Sequence, residues 1–398
     1  MANIKQLKHL EHIEDEMLNY GTEGCTAAVA FLKELRKMLG HQESQGFMQT
    51  KWDGAPSVIC GVHPYTKRFF VGTKSVFNKT EPKLCFLPGD VDAYYSGDLA
   101  EKLKFSLEYF SKLGIDGVVQ GDLMFTNSTL KTETVNGERL YTFRPNTITY
   151  GIPVDHPIGK AAGRAKIGVV FHTHYTGDDL ADMQALAGAD VTGSSDALVI
   201  KNDTPMDQVG FSQTELQRFD RHVQKIERMC SIAGKFLDNL VSNMGSTGDK
   251  KFHISTYIKQ FFNSEVRAGT QITNVDETVH ALVNFYDEKM QKELGKIKTV
   301  ANRTKKCALV YESENYLLDN VYNFKTMISL YKEIQDLKQL VIDKLDHLEE
   351  FRTYVQTENG YKVTTPEGYV LHKDGSMIKF VNRFEFAFNN FTLQKQWR

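Results

Sequence analysis

Apolar residues recur every third or fourth position near the end of the chain: Val321, Phe324, Ile328, Tyr331, Ile334, Leu337, Val341, Leu345 and Leu348. That spacing lines one side of a helix and predicts a long amphipathic one. Asp319 stands where its N-cap belongs and Gly360 where it would stop. Shorter helical patterns fall near 213–243, 252–264 and 276–298. Proline usage agrees, because none stands between Pro205 and Pro366 and a proline inside a helix costs about 3 kcal/mol or more. Residues 206–358 therefore read as a helical domain. At the other end, Leu7, Leu10, Ile13 and Met17, then Val29, Leu32, Leu35 and Leu39, predict two packed helices over 5–40.

The pattern changes over 46–204, where glycine and proline separate short β-type runs. Ser57–Gly61, Phe69–Thr73, Gly117–Gln120, Leu140–Phe143 and Ile167–Thr173 are bounded by turn residues and read as strands. Two more, Gly368–His372 and Met377–Val381, flank Lys373-Asp374-Gly375-Ser376. Asp-Gly between two such runs predicts a tight hairpin.

Composition narrows the class. The 398 residues are 41% hydrophobic and 25% charged, ordinary for a globular protein. Net charge is −2, so nucleic-acid contact has to come from local patches. No apolar run approaches the roughly 18 residues of a membrane helix, and the start lacks the basic-then-apolar pattern of a signal peptide. Cys25, Cys60, Cys85, Cys230 and Cys307 include no C-x-x-C pair, which points to a reducing cytoplasm. If the chain is phage-encoded, that is the host's cytoplasm.

Chemistry gathers in the strand-rich parts. Lys51-Trp52-Asp53-Gly54 stands where a strand runs into a glycine turn. A lysine attacks only when neutral, so burial or cationic neighbours must lower its pKa from about 10.4. In chain order this string is followed by Gly72-Thr73-Lys74-Ser75, Val119-Gln120-Gly121-Asp122-Leu123, Ile167-Gly168-Val169-Val170-Phe171, Glu367-Gly368-Tyr369-Val370-Leu371 and Met377-Ile378-Lys379-Phe380. Together the six resemble the collinear motifs of the covalent nucleotidyltransferase superfamily, the ATP-dependent polynucleotide ligases and RNA-capping enzymes. The resemblance covers roughly 46–175 and 365–384. The strings Lys51–Ser57 and Phe143-Arg144-Pro145-Asn146-Thr147 are also similar to a ligase-like family of large tailed phages.

The resemblance implies roles. Lys51 would take AMP from ATP as a phosphoramidate, with Asp53, Gly54 and Lys74 beside the nucleotide. Phe171 would stack on the base. Glu367, with Asp122, would hold Mg2+ or Mn2+. Lys379 would reach the α-phosphate as a second catalytic residue, and Lys373 would add a cation to the nucleotide site. It also implies an α+β fold: a ligase-type core of antiparallel sheets, interrupted by a large helical insertion. The division is then N-terminal helices over 1–45, core over 46–205, insertion over 206–358 and the rest of the core over 359–398.

Departures from the pattern choose among members. Asp122 stands where the family carries glutamate, Pro56 where DNA ligases carry arginine, His372 at a basic position and Val381 in place of a second lysine, with Asn382-Arg383 next. Only 19 residues follow Lys379, too few for the OB-fold of DNA ligases and capping enzymes. The expectation is an ATP-dependent RNA ligase acting on polynucleotide 5′-phosphate and 3′-hydroxyl ends. Alternatives are a DNA ligase lacking that barrel and a nucleotide- or nucleic-acid-binding protein that has lost turnover.

Two further features stand apart. Lys289, Lys292, Lys296, Lys298, Arg303, Lys305 and Lys306 face one acid, Glu293, in the same stretch, a patch able to track a nucleic-acid backbone or simply to be solvated. His172 and His174 share a strand face; without a third ligand nearby they read as hydrogen-bonding histidines rather than half of a metal site.

Overall fold

The computed structural model describes residues 10–245, 252–348, 351–358 and 360–384. In chain order its elements are α1 (Glu16–Leu39), β1 (Phe47–Lys51), β2 (Ser57–Val62), β3 (Phe69–Gly72), α2 (Pro88–Tyr94) and α3 (Gly97–Phe110). Then come β4 (Val118–Thr126), β5 (Lys131–Val135), β6 (Glu138–Phe143), β7 (Thr149–Pro153), α4 (Pro157–Ala162), β8 (Ile167–Thr176), β9 (Gln184–Ala187) and β10 (Ala197–Val199). Helices α5 (Gln213–Gly245), α6 (Ile254–Ala268), α7 (Val275–Gly295), α8 (Val300–Asp319) and α9 (Val321–Leu345) follow, with no strand between them among the described residues. The last elements are β11 (Arg352–Thr357), β12 (Gly360–Val363), β13 (Gly368–Lys373) and β14 (Ser376–Phe380). The class is α+β, with sheets that are antiparallel apart from the β8–β10 pair.

Three sheets share the work. The first has the order β1-β13-β14, the second β10-β8-β4-β2-β3 with β9 beside β8, and the third β12-β11-β7-β6-β5. Side chains alternate across a strand, so each sheet has two assignable faces. Met48, Tyr369, Leu371, Ile378 and Phe380 turn the first sheet onto the helical core formed with α1 and α5–α9. Val58, Cys60, Val119, Leu123, Val169 and Phe171 turn one face of the second sheet onto α2 and α3. Its other face meets the third sheet through Met124, Val170, Phe143, Tyr150 and Phe351.

The long helix is α9, and from Phe324 to Leu345 every apolar position of the expected stripe is buried. A fully buried aliphatic or aromatic side chain contributes about 1.5–3 kcal/mol, so this stripe anchors the helical region. Its ends differ from expectation. α8 runs to Asp319 and Asn320 stands at the N-cap of α9. The helix stops at Leu345, not Gly360, and residues 352–357 form β11, which pairs with β7. The expected helical domain over 206–358 thus loses its last segment to the third sheet. β11 lies in the proline-free stretch and pairs both with β7, some two hundred residues away, and with the adjacent β12. Thr353, Tyr354 and Val355 and the string Asn359-Gly360 are local strand and hairpin signals that the absence of proline outweighed.

The two helices expected over 5–40 stand as the two segments of α1 on either side of a break at Gly21 (φ 60°, ψ −130°), with residues 1–9 outside the described part. Asp238 of α5 accepts from the Thr22 N–H at 2.7 Å and the Thr22 hydroxyl at 2.8 Å. A Cβ at Gly21 would lie 2.3 Å from that carboxylate, so this break needs glycine. The β13–β14 hairpin is as expected, with Lys373 paired to Ser376 and Asp374 and Gly375 both at positive φ (49° and 72°).

Candidate active site

Register decides what the first sheet presents. Lys51 pairs with Gly368 and Gln49 with Val370, while Val370 pairs with Lys379. Opposed residues in antiparallel strands point to the same side, so Lys51 and Lys379 share the face turned away from the helical core. Gly368 (φ 140°) permits this crossing, because a Cβ there would meet the Phe380 carbonyl oxygen at 2.4 Å.

Glu367, just before β13, places Oε1 2.5 Å from Lys51 Nζ. Burial opposes the charge on Lys51, but Glu367, with Asp122 and Asp53 behind it, outweighs burial and raises the ammonium's pKa. Burial pushes Glu367 up to about 7 against the pull of Lys51. The pair thus holds its proton on Lys51 and has a carboxylate able to take it near neutrality. Burial followed by the charge of Lys51 lowers Lys379.

The facing wall is the second sheet. Asp122 on β4 lies opposite Ser57, and β8 bulges at His172 to bring its Nε2 3.6 Å from Asp122 Oδ2. Burial raises Asp122, and His172, Ser57 and Lys51 more than offset it, leaving the carboxyl below its usual value. Gly54 lets the turn after β1 lie against this strand, since a Cβ there would sit 2.6 Å from Asp122 Cβ.

Asp53 has a different task from the one expected. Its Oδ1 accepts from Asn146 Nδ2 at 2.7 Å, and its Oδ2 from the N–H groups of Thr147 and Ile148 at 2.7 and 2.8 Å. Its own N–H donates to Tyr150 at 2.8 Å. Both carboxylate oxygens are spent inside the protein, so Asp53 clamps the loop that follows β6 and is not available to a nucleotide. The clamp joins the two strings that carried the phage-family likeness, Lys51–Ser57 and Phe143–Thr147. Arg144 in that loop donates to the Asn146 carbonyl and to Gln356 at 3.1 Å each.

Other expectations need correcting. Phe171 is 2% exposed, pairs with Gly121 and lies edge-on to Phe110 at 5.4 Å. It therefore faces α3, on the opposite side of the sheet from Asp122, and cannot stack on a base in the cleft. Lys373 pairs with Asp374 at 2.7 Å at the hairpin tip. The inward position beside it belongs to His372, buried and stacked on Phe47 at 4.5 Å. Arg383 is spent in a buried network with Asp15 (3.1 Å), Tyr331 and Asn263 (2.5 Å each). Lys74 is exposed at the head of a one-turn helix, beside the hydroxyls of Thr73, Ser75 and Tyr95; among the described residues no hydrogen bond or ion pair joins it to Lys51 or Glu367.

His172 and His174 spend their Nδ1 atoms on Thr173 Oγ1 and the Gly188 carbonyl at 2.8 and 2.6 Å. The basic cluster lies on α7, α8 and their connection. Lys292, Lys298, Arg303 and Lys305 are exposed, Lys296 pairs with Glu293, and Lys289 and Lys306 lie over Phe285 and Phe252. Sequence reasoning missed His12, which bridges Lys379; it sat inside a helical spacing pattern and carried no signal of its own.

Among the described residues no three His, Cys, Asp or Glu side chains form a group able to hold a metal. Mg2+ is content with one or two carboxylates when phosphate oxygens complete its shell. Glu367 and Asp122 fit that donor set. No helix among the described residues is long and apolar enough to cross a membrane. No curated protein and no solved structure matches the chain. One family model matches residues 3–395, nearly the whole length, and on that match the chain belongs to DUF6267, a family of unknown function.

Proposed function

We propose that this protein is an ATP-dependent polynucleotide ligase that carries AMP on Lys51 and joins 5′-phosphate to 3′-hydroxyl ends, RNA rather than DNA. The observation that supports it most is the Lys51–Glu367 contact of 2.5 Å on a sheet face shared with Lys379, with Asp122 opposite. A half-buried lysine in contact with a buried carboxyl raised to about 7 is the arrangement expected of a nucleophile beside its proton acceptor.

The residues divide the labour. Glu367 holds Lys51 as an ammonium while its own charge is free. Once Glu367 is protonated or engaged elsewhere, burial and the charge of Lys379 favour the neutral amine. That amine attacks the α-phosphorus, and the fixed charge of Lys379 stabilises the oxygens on which negative charge builds. Glu367 and Asp122 would hold Mg2+ or Mn2+, which supplies further positive charge against those oxygens. The exposed cations of the α7–α8 corner would grip the polynucleotide backbone.

The test is labelling with α-phosphate-radiolabelled ATP on a denaturing gel. The expected result is a covalent band, absent in Lys51→Ala and discharged by pyrophosphate, followed by sealing of RNA in preference to DNA ends. A protein that binds ATP with no covalent band would overturn the reading in favour of a binding protein without turnover. Sealing of DNA alone would keep the chemistry and reverse the substrate.

A further inference from the structure

Lys379 is half-buried and, among the described residues, has no ion-pair partner. Glu367 and Glu11, the acids whose charges act on Lys379, are already engaged, as are Glu14 and Asp15 further off. Glu367 pairs with Lys51 at 2.5 Å, Glu11 with Lys259 at 3.3 Å, Glu14 with Lys338 at 2.6 Å and Asp15 with Arg383 at 3.1 Å. Beside it, the chain before α1 runs parallel to β14. The Lys379 N–H donates to the Glu11 carbonyl at 3.1 Å, and His12 bridges Lys379. Residue 12 thus continues the row Gln49–Val370–Lys379 by one place. Its imidazole Nδ1 is buried without a hydrogen-bond partner. Burial, and then the charges of Lys338, Arg383, Lys379 and Lys51, hold this imidazole neutral.

A cation without an anion and a buried ring nitrogen without a partner are each costly. Side by side on the face that carries Lys51, both are relieved by one ligand: a polyanion with several acceptor oxygens. We propose that His12 and Lys379 form the seat of the nucleotide's terminal phosphates, and so bind pyrophosphate as it leaves. This rests on the adenylyl-transfer reading for its place in the reaction, though not for the anion site itself. In the step served, the bond from Lys51 Nζ to the α-phosphorus forms. The bond from that phosphorus to the bridging oxygen breaks, with its electron pair leaving on pyrophosphate, and the proton that the attacking amine sheds passes to an oxygen of that pyrophosphate. His12 donates its Nδ1–H to a departing oxygen and transfers no proton.

Calorimetric titration of the full chain with inorganic pyrophosphate tests the seat directly. The unaltered protein is expected to bind, His12→Ala and Lys379→Met to bind at least tenfold more weakly, and Lys373→Ala, at the hairpin tip, to bind as before. His12→Asn, which places an amide N–H near the Nδ1 position, is expected to restore most of the affinity and covers the case in which His12→Ala does not fold. No binding by the unaltered protein, or equal binding by the folded His12 and Lys379 variants, overturns the proposal. ATP labelling of the same preparations separates the two ideas. A Lys51 adduct with pyrophosphate binding indifferent to His12 sinks the seat alone. His12-dependent binding with no adduct keeps the anion site and sinks the transferase reading.

Discussion

Two ionic clusters, one buried and one half-buried, lie on opposite faces of the β1-β13-β14 sheet region, and they are built to different rules. On the helical side, Glu14 (0% exposed) meets Lys338 at 2.6 Å, and Arg383 meets Asp15 at 3.1 Å with Tyr331 and Asn263 around it. Two acids face two bases, so the charge closes on itself. On the cleft side, Lys51 and Glu367 are matched, but Lys379 has no acid of its own and Asp122 answers to His172 as well as Lys51. Burying charge is expensive unless it is paired. A cluster that ties the first turn of the chain to α9 and Arg383 accordingly balances its charges internally. One that leaves a lysine without an ion-pair contact, on an open face, is arranged for a ligand that supplies that contact.

Breaking each cluster at its lysine should give the largest contrast. Lys338→Met leaves Glu14 fully buried with Arg383 3.9 Å away, and removing one partner of a buried pair costs about 3–5 kcal/mol. Lys379→Met removes a cation that has no partner to strand, so its cost should stay below about 1 kcal/mol. Urea denaturation of the two variants reads the difference. Equal losses would mean that the clusters do not differ in kind.

A smaller effect separates Asp53 from its catalytic neighbours. Asp53→Ala strands the buried N–H groups of Thr147 and Ile148 and the amide of Asn146. Each unsatisfied buried group costs about 1–3 kcal/mol, part of which water entry recovers, so a loss of roughly 3 kcal/mol is expected. Asp122→Asn keeps its shape and should melt close to the unaltered protein while losing adduct formation. If Asp53→Ala melts normally, the loop clamp is not what Asp53 is for.

These residues also show where sequence reading reaches and where it stops. The stripe on α9 was legible because a helix buried along one side repeats its apolar residues locally. The Asp374-Gly375 hairpin was legible because two successive positive φ values exclude most other residues. Phe171 was placed on the right strand, but its face depends on its pairing with Gly121 and on the bulge at His172, neither of which leaves a mark in the string Ile167–Phe171. Asp53 sat in a recognisable motif, yet its partners stand more than ninety residues along the chain. β11 was absorbed into the helical stretch because the absence of proline up to Pro366 was read as helix, although the string Asn359-Gly360 ahead of β12 is a hairpin signal. Motifs named the chemistry of Lys51, Asp122, Glu367 and Lys379, while register and long-range pairing decided which of the other candidates stand with them.

The smallest expected effect concerns acid. His372 lies inward on β13, 6% exposed, and burial, then the charge of His172, lowers its pKa to about 4 from an ordinary value near 6.5. The unfolded chain therefore binds more protons at this position between those two pH values. Stability rises with pH across that window, is complete above it, and is lost as pH falls toward 4. A shift of this size corresponds to at most roughly 3 kcal/mol. His372→Phe keeps a ring to stack on Phe47, which lies parallel to His372 within 9°, and removes the titration. The raised Glu367 and the lowered Asp122 titrate in both proteins, so their contributions cancel in the difference between the two stability–pH curves. The variant should lose less stability than the unaltered protein between pH 6.5 and 4.5, with curves that run parallel above pH 7. Parallel curves throughout would mean that the imidazole is already paired or hydrated in the folded protein, and that the cleft face of β13 is wetter than its burial indicates.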